Sequence, residues 1–117
     1  MMSRLVVYLV LVALAGLSCK NEQILANVPA CIRQRIQQLE AAPVRNPPGS
    51  IYRYTYKGKT VYYIPPDCCD GFSELIDENC ASLCAPDGGL GGVGDGRCSD
   101  FGKEATNREL IWQDPRK

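Results

Sequence analysis

The strongest chemical signal in this 117-residue chain is its seven cysteines, five of which lie within residues 67–100. Thiolates at this density either bind zinc or form disulfides. The candidates for a four-thiolate zinc site are Cys68, Cys69, Cys80 and Cys84. Two of these ligands are adjacent, whereas zinc ribbons use two C-x-x-C hooks. The spacing therefore favours disulfides, and we expect no metal at these cysteines.

An odd number of cysteines is awkward for an exported protein, but Cys19 can be set apart from the other six. It follows an apolar run of thirteen residues, Leu5–Leu17, with Arg4 in front. A membrane span needs about 20 residues, so this run has the length of a signal-peptide core. We therefore predict a signal peptide at residues 1–18.

The ending LSC resembles a bacterial lipobox, and this resemblance implies that Cys19 becomes the diacylated first residue of the mature protein. Lys20, the next residue, is not the aspartate associated with inner-membrane retention. We therefore expect a lipid-anchored protein of the bacterial cell envelope, at the outer membrane or facing the periplasm.

Six cysteines remain, which is enough for three disulfides with 15 possible connectivities. They are Cys31, Cys68, Cys69, Cys80, Cys84 and Cys98. We expect Cys68 and Cys69 to bond different partners, because a bond between neighbours strains the peptide that joins them. We also expect Cys80 or Cys84 to pair with Cys98 and close a glycine-rich loop.

Enzyme chemistry is poorly supported, because the chain contains no histidine, the commonest general base and metal ligand. Ser–His and Cys–His nucleophile pairs cannot form, and no G-x-x-x-x-G-K-[ST] phosphate loop is present. Two acids across a cleft could perform glycosidase chemistry, but a loop-rich mature chain of 99 residues is a poor host. We identify no catalytic residue and expect no enzyme.

The stretch Pro86–Gly96, PDGGLGGVGDG, allows two interpretations. Its carboxylates, Asp87 and Asp95, together with Asp70 or Asp100, are the kind of ligand that Ca²⁺ takes. However, the EF-hand spacing is absent. A G-G-x-G-x-D repeat is nearly matched in a single copy, with Asp95 one place early. The structural alternative, glycines that supply turns with positive φ, is favoured. We expect no cofactor, with Asp87 and Asp95 as weak calcium candidates.

The charges balance overall but are unevenly distributed along the chain. Residues 33–59 contain six bases and one acid, whereas residues 67–100 contain eight acids and one base. The mature chain has 12 bases against 13 acids, which argues against a nucleic-acid partner. We expect the two halves to dock, with exposed ion pairs worth about 0–1 kcal/mol each.

The first elements are a tether at residues 19–26 and a helix at residues 27–42, with Asn27 as N-cap and Pro29 in the first turn. The tether is polar and is expected to lack fixed structure. The apolar stripe of the helix is Val28, Cys31, Ile32, Ile36 and Leu39. Pro43 ends the helix.

A β-hairpin is predicted over residues 51–64, where aromatic and β-branched residues flank Lys57–Gly58. A two-residue turn there pairs Tyr56 with Lys59, Tyr54 with Val61 and Tyr52 with Tyr63. We expect the face with Tyr52, Tyr54, Val61 and Tyr63 to pack on the helix. The alternative is that the tyrosines form a stacking platform for a sugar or peptide; cross-strand packing is the commoner use.

The rest of the chain is predicted as one helical turn at residues 72–77, a loop at residues 84–102 and a late strand at residues 109–113. In the turn, Phe72, Leu75 and Ile76 are expected to face inward. In the strand, Leu110 and Trp112 are expected to be buried. Residues 27–117 then form a single cysteine-rich domain.

Together these elements predict an α+β fold, in which one N-terminal helix packs on a small antiparallel sheet. The sheet consists of the hairpin and a late C-terminal strand, and the other half of the domain is loop-rich and held by disulfides. Such a domain has few ways to act except by binding or as a structural component.

Three segments of the chain together resemble a known family. They are NPPGSIYRYTYKGKTVYYIPPDCCD, LCAPDGGLGGVGDGRCSDF and LIWQD. Over residues 31–114 the chain looks like a domain of unknown function found in small lipoproteins of Bacteroidota-type bacteria. The resemblance implies an envelope location and supplies no catalytic residue.

We therefore expect a non-enzymatic binding or structural domain that contacts the membrane through its lipid and has a protein or glycan partner. The first alternative is a small inhibitor-like module, since a loop closed by Cys84 and Cys98 has the general architecture of a rigid inhibitory loop. The second is a weak calcium-binding domain.

Overall fold

The structure, a computed structural model, describes residues 23–116. The predicted signal peptide at residues 1–18, the predicted lipid site Cys19 and the first part of the predicted tether lie outside this range. Within it, no helix has both the length and the apolar character needed to cross a membrane.

The described chain folds as one helix against a five-stranded antiparallel sheet, with a second, very short helix. The elements are α1 (Ala30–Ala41), β1 (Ser50–Tyr56), β2 (Lys59–Ile64), β3 (Glu74–Ile76), β4 (Ser82–Cys84), α2 (Phe101–Glu104) and β5 (Thr106–Gln113). The strand order is β4-β3-β2-β1-β5. The predicted α+β fold is confirmed, and β3 and β4 extend the sheet beyond the three strands expected.

The helix has the predicted apolar stripe, since Val28, Ile32, Ile36 and Leu39 are all buried. It starts later than predicted, because Pro29 is extended (φ −56°, ψ 151°) and serves as the N-cap residue. A residue before proline is biased away from helical geometry, so the helix cannot run from Asn27 through the Val28–Pro29 step.

The predicted tether is only partly an unstructured segment. Residues 23–26 form a helical turn, and Ile24 and Leu25 pack against the core. The stretch 20–26 was expected to be too polar and too short for fixed structure, but its two apolar side chains, Ile24 and Leu25, are partly buried against the core. The expectation of a tether without structure is therefore wrong for residues 23–26.

The hairpin has the predicted register, with Tyr52 opposite Tyr63 and Tyr54 opposite Val61. Lys57 and Gly58 both have positive φ, 51° and 75°. This pair of conformations belongs to the two-residue turn that suits the right-handed twist of the strands.

The face predicted to meet α1 is the wrong one. Ile51, Tyr62 and Ile64, which are at most 3% exposed, face α1 and share a core with its Ile32 and Ile36. The opposite face packs in a second core. Its buried members are Tyr56, Val61, Leu75, Cys84, Cys98 and Phe101, with Tyr54 and Tyr63 partly buried. Because both faces of the sheet are covered, alternation alone could not tell which face meets the helix.

The segment predicted as a helical turn forms β3, in which Leu75 pairs with Tyr63 of β2. Leu75 and Ile76 are adjacent and both buried, as expected of a strand covered on both faces. Phe72 lies before the strand and is 56% exposed, so its predicted burial is wrong.

The late strand exists, but it buries Ile111 and Trp112, while Leu110 is 43% exposed. A register irregularity explains this difference: Ile51 pairs with Trp112 and Tyr52 pairs with Leu110, so Ile111 has no partner of its own. A bulge of this kind re-aims side chains. It brings two neighbouring residues to the core and leaves Leu110 outside.

The short α2 begins inside the stretch 84–102 that was expected to be loop throughout, and it contributes Phe101 to the second core. Beyond β5, Arg116 donates to the Leu39 carbonyl oxygen (3.1 Å) and to the buried carboxylate of Asp114. The end of the sheet is thereby tied to the end of α1.

Candidate functional site

The six cysteines of the described chain form three disulfides. Cys31–Cys80 joins α1 to the turn before β4, with Cα atoms 6.0 Å apart. Cys84–Cys98 joins the end of β4 to the segment before α2, with Cα atoms 6.1 Å apart. These two bonds span the helix and the loop-rich half of the domain.

The third bond joins the neighbours Cys68 and Cys69, so the expectation of different partners for them is wrong. That expectation considered only the peptide between them. The fold instead places Cys31 against Cys80 and Cys84 against Cys98, and Cys98 does pair with one of the two cysteines foreseen. Both Cys68 and Cys69 are exposed, in a turn that Gly71 closes by donating its N–H to the Cys68 carbonyl oxygen (3.0 Å).

The glycine loop, which we define as residues 85–96, is ordered by its own backbone rather than by apolar burial. The N–H of Gly94 donates to the Gly88 carbonyl oxygen, and the N–H of Asp95 donates to the Ala85 carbonyl oxygen, both at 3.0 Å. The Gly89 N–H donates to the Gly71 carbonyl oxygen (3.3 Å), which lies outside the loop. The Cys84–Cys98 bond closes the base of the loop, so the loop is a defined surface.

Of the four carboxylates considered as calcium ligands, Asp87, Asp95 and Asp100 each have a different partner, and Asp70 is exposed with no side-chain partner in the described chain. Asp87 accepts from the Tyr63 hydroxyl (2.9 and 3.0 Å). Asp95 accepts from the N–H and Nε of Arg97 (3.0 and 2.8 Å). Asp100 accepts from the Tyr56 hydroxyl. Among residues 23–116 no three acidic or cysteine side chains are grouped as metal ligands.

These partners shift the acid–base behaviour of the groups. Burial first, and then the hydrogen bond to Asp87, raise the pKa of Tyr63. The Arg97 backbone N–H, followed by its side chain, lowers the pKa of Asp95. The Tyr56 hydroxyl bond lowers the pKa of Asp100, and the same bond raises the pKa of Tyr56.

The tyrosine face is mostly a packed surface built around Phe101. The rings of Tyr54 and Tyr63 lie 5.0 and 5.9 Å from the Phe101 ring. Tyr52, further along the face, lies beneath the Arg108 guanidinium at 4.5 Å. Edge-to-face and offset contacts at these distances are stabilising, so these rings act as packing, the use favoured over a stacking platform.

Three large apolar side chains extend from the loop-rich half into solvent, and together we call them the loop tip: Phe72, Leu90 and Val93. Leu90 is 93% exposed, Val93 70% and Phe72 56%. Phe72 pairs with Gly88 through an isolated bridge, which places it beside the glycine loop. The loop tip thus combines exposed apolar surface with a fixed backbone, which is the combination that a binding surface needs.

The loop was expected to act through its acids and glycines, and the exposure of its two apolar residues was not predicted. A signal was available, because Leu90 and Val93 are the only large apolar residues in PDGGLGGVGDG. A glycine-rich turn offers no core in which to bury them. No comparable signal existed for Phe72, which the pattern placed on the inner side of a helical turn.

The halves dock as expected from their charges. Arg35 of α1 pairs with Glu74 of β3, and Lys57 pairs with Asp100 across 3.7 Å. Both pairs join the basic stretch to the acidic one. All four side chains are at least a third exposed, so these pairs orient the halves more than they stabilise them.

A family model matches residues 37–114, about two thirds of the chain, and its description is a domain of unknown function, DUF6970. The match covers the second half of α1 and all five strands, and it includes the glycine loop. A search of curated proteins and a search of solved structures each found no match.

Proposed function

The chain belongs to the family described as Domain of unknown function (DUF6970), and we propose that it is a lipid-anchored, non-enzymatic binding domain of the bacterial cell envelope. The loop tip is its contact surface. Its partner is a protein or glycan of the envelope, and the lipid on Cys19 holds it to the membrane.

Three disulfides among residues 23–116 support an exported location, because such bonds persist in oxidising compartments. The apolar run Leu5–Leu17 and the lipobox-like LSC point the same way. Cys19 is four residues before Gln23, where the described chain begins. A fully extended chain covers at most about 3.6 Å per residue, so an acylated Cys19 would keep the domain within about 15 Å of the bilayer.

The single observation that supports binding most strongly is the 93% exposure of Leu90 on a backbone-ordered loop. When an exposed leucine lies on a mobile loop, the loop loses conformational entropy on binding, and this loss weakens the affinity. On an ordered loop that ordering cost is already met by the fold, and preorganisation of this kind favours association. Exposed apolar clusters on soluble domains mark interaction sites.

The test is photo-crosslinking in intact cells, with the crosslinking residue placed at position 90 of the full-length chain. We expect a discrete adduct that disappears when Val93→Asp is added. Leu83→Asp, on a 39% exposed leucine of β4, is the matched control and should leave the adduct in place. Adducts that are equally strong from exposed Lys103, or that survive Val93→Asp, would show that the loop tip is not the contact.

Intact-mass analysis of the same membrane extract examines the anchor separately. We expect a mature form that begins at Cys19 and carries a diacyl group. An unlipidated form that begins elsewhere would overturn the anchor and leave the contact result standing.

The rigid loop closed by Cys84–Cys98 also favours a second candidate, an inhibitory module in which Leu90 enters the apolar pocket of a hydrolase. The crosslinked partner distinguishes the two. A hydrolase that the purified domain inhibits, and that Leu90→Asp releases, supports the inhibitor; a partner without hydrolase activity supports the binding domain.

A further inference from the structure

A cavity of about 310 Å³ lies where the basic and acidic halves meet, away from the second core and the tyrosine face. Its charged groups come from both halves: Arg35 and Arg45 from one, Asp67 and Glu74 from the other. Its apolar walls are Ile64, Pro65, Pro66 and Phe72. Pockets that bind small molecules usually have about 300–1,000 Å³, so this one is of a size for one or two amino-acid units.

The charges that line the cavity are not all used within the protein. Glu74 is taken up by its ion pair with Arg35. Arg45 and Asp67 form no ion pair with any residue in the range 23–116. One positive and one negative group thus remain available to a ligand, on a surface with apolar walls.

Arg35 has donors to spare as well. A guanidinium carries five N–H donors, and in the described chain only its Nη2 meets an acceptor, the Glu74 carboxylate. Its Nε is buried without a hydrogen-bond partner among those residues. Because Nε has almost no accessible surface, the donors that a bound acceptor can reach are those of the terminal nitrogens, Nη1 and Nη2.

The wall that carries Asp67 is held firmly. The Cys68–Cys69 bond and the Gly71 N–H bond to the Cys68 carbonyl oxygen close the turn between Asp67 and Gly71, and both of those residues line the cavity. The Glu74 ion pair orients Arg35, which also lines the cavity. The site is therefore largely formed before any ligand arrives, which lowers the ordering cost of binding.

We propose that this cavity binds a small zwitterion, a free amino acid or a short peptide with an apolar side chain. Arg45 donates to the carboxylate of the ligand, with Arg35 beside it, and Asp67 accepts from its ammonium group. The apolar side chain lies against Phe72 and the two prolines. The site does not depend on the lipid anchor or on a partner at the loop tip, although Phe72 is common to both surfaces.

The test is a ligand titration of the full-length, detergent-solubilised and disulfide-intact protein. Binding is measured by calorimetry and by the NMR chemical shifts of the backbone amides. The probes are leucine and leucyl-leucine, each as the zwitterion, as the C-terminal amide and as the N-acetyl form. We expect saturable shifts within residues 64–74 for a zwitterion and about tenfold weaker binding for each form that lacks one charge. The stronger of leucine and the dipeptide identifies the source of the ligand.

Variants assign each charge to its residue. Arg45→Gln should weaken the zwitterion about tenfold and leave the amide unchanged, because the amide has no carboxylate for Arg45 to bind. Asp67→Asn should weaken the zwitterion about tenfold and leave the N-acetyl form unchanged, because the N-acetyl form has no ammonium group for Asp67 to bind. Arg97→Gln, which removes the arginine that follows the glycine loop and pairs with Asp95, and Leu90→Asp are controls that should leave binding unchanged.

Three results would overturn the proposal: no saturable shift within residues 64–74, equal affinity for the zwitterion and the amide, or the same loss in Arg97→Gln as in Arg45→Gln. Disulfide mapping of each variant shows whether it is folded. If Arg45→Gln proves misfolded, the comparison of the zwitterion with its amide on the unaltered protein decides.

Discussion

At the scale of single residues, Gly94 shows how closely the backbone is packed within the glycine loop. It has φ +71°, and a Cβ added there would lie 2.0 Å from the Ala85 carbonyl oxygen. That oxygen accepts the Asp95 N–H. A side chain at position 94 would therefore force apart the two backbone segments that form the base of the loop.

This geometry gives a matched pair of variants. Gly92 has nearly the same φ, +72°, but a Cβ there would meet nothing within 4 Å. Gly92→Ala should lower the free energy of unfolding by about 1–2 kcal/mol, the cost of a left-handed conformation for a residue with a Cβ. Gly94→Ala carries the same cost plus the clash and should lose clearly more.

Urea denaturation of the two variants, with all three disulfides intact, measures the difference. Equal losses would show that the loop relaxes easily and that its order depends on the disulfide rather than on backbone contacts. The loop tip would then be less preorganised than its hydrogen bonds indicate.

The acidic residues illustrate how far a single residue can be interpreted from sequence. Asp87 and Asp95 were identifiable as groups with chemistry, but their partners were not. Asp95 bonds Arg97, two residues away, which local sequence could have suggested. Asp87 bonds Tyr63 from another strand, a contact that only the fold creates. Two carboxylates eight residues apart, such as Asp87 and Asp95, need not converge on a cation.

At the scale of elements, the hairpin was predictable because its turn and its pairing are local. The register follows from the two-residue turn once Lys57 and Gly58 are placed in it. β3 and β4 were not predictable, because each has only three residues. Three residues do not distinguish a strand period from a helical one.

The disulfides give a graded prediction at this scale. The residues they join are separated by 49, 14 and 1 positions. In the chain-entropy account a crosslink stabilises by restricting the unfolded chain, and more so for longer loops. Replacing both cysteines by serine should cost about 4 kcal/mol for Cys31–Cys80 and about 3 kcal/mol for Cys84–Cys98.

The same change at Cys68–Cys69 closes almost no loop and should cost little on this account. Denaturant unfolding of the three double variants gives a midpoint and a slope for each. The free energies of unfolding obtained from them rank the three bonds. If the Cys68–Cys69 variant were as unstable as the Cys84–Cys98 variant, the neighbouring-cysteine turn would stabilise the native state directly, by ordering the segment that carries Asp67.

At the scale of the whole molecule, three aspartates lower the stability of the fold at acid pH and three tyrosines lower it at alkaline pH. The pKa values of Asp95, Asp100 and Asp114 lie below their ordinary 3.8, because Arg97, Tyr56 and Arg116 bond their ionised forms. Their contribution is complete above pH 3.8 and is lost as pH falls below it. The pKa values of Tyr56, Tyr62 and Tyr63 are raised above 10.0. Their contribution is complete below pH 10 and is lost as pH rises through the folded values.

We therefore expect unfolding midpoints that are level between about pH 5 and 9 and fall on both sides. Asp114→Asn should lower the level part and flatten the acid side, because it removes one of the groups that must be protonated. Asp70→Asn is the control, since Asp70 is exposed and has no hydrogen-bond partner in the described chain. An acid side of unchanged slope in Asp114→Asn would show that the Arg116 bond does not act on stability.

The sequence by itself determined the features that depend on local spacing. These are the stripe of α1, the turn and register of the hairpin, the late strand and the disulfide-rich composition. Each follows from residues within about one turn or one strand length of each other, where chain geometry leaves few choices. The α+β class follows from these elements together.

Tertiary structure decided everything that depends on which distant surfaces meet. The sheet is covered on both faces, so the alternation in β1 and β2 was the same for either assignment, and only docking placed Ile51 against α1. The bulge beside Ile51 exchanged Leu110 for Ile111 in the core. The pairing of Cys68 with Cys69, and the meeting of Arg45 with Asp67 at one cavity, arise from long-range packing, in which the free energy depends on the whole arrangement and not on spacing along the chain.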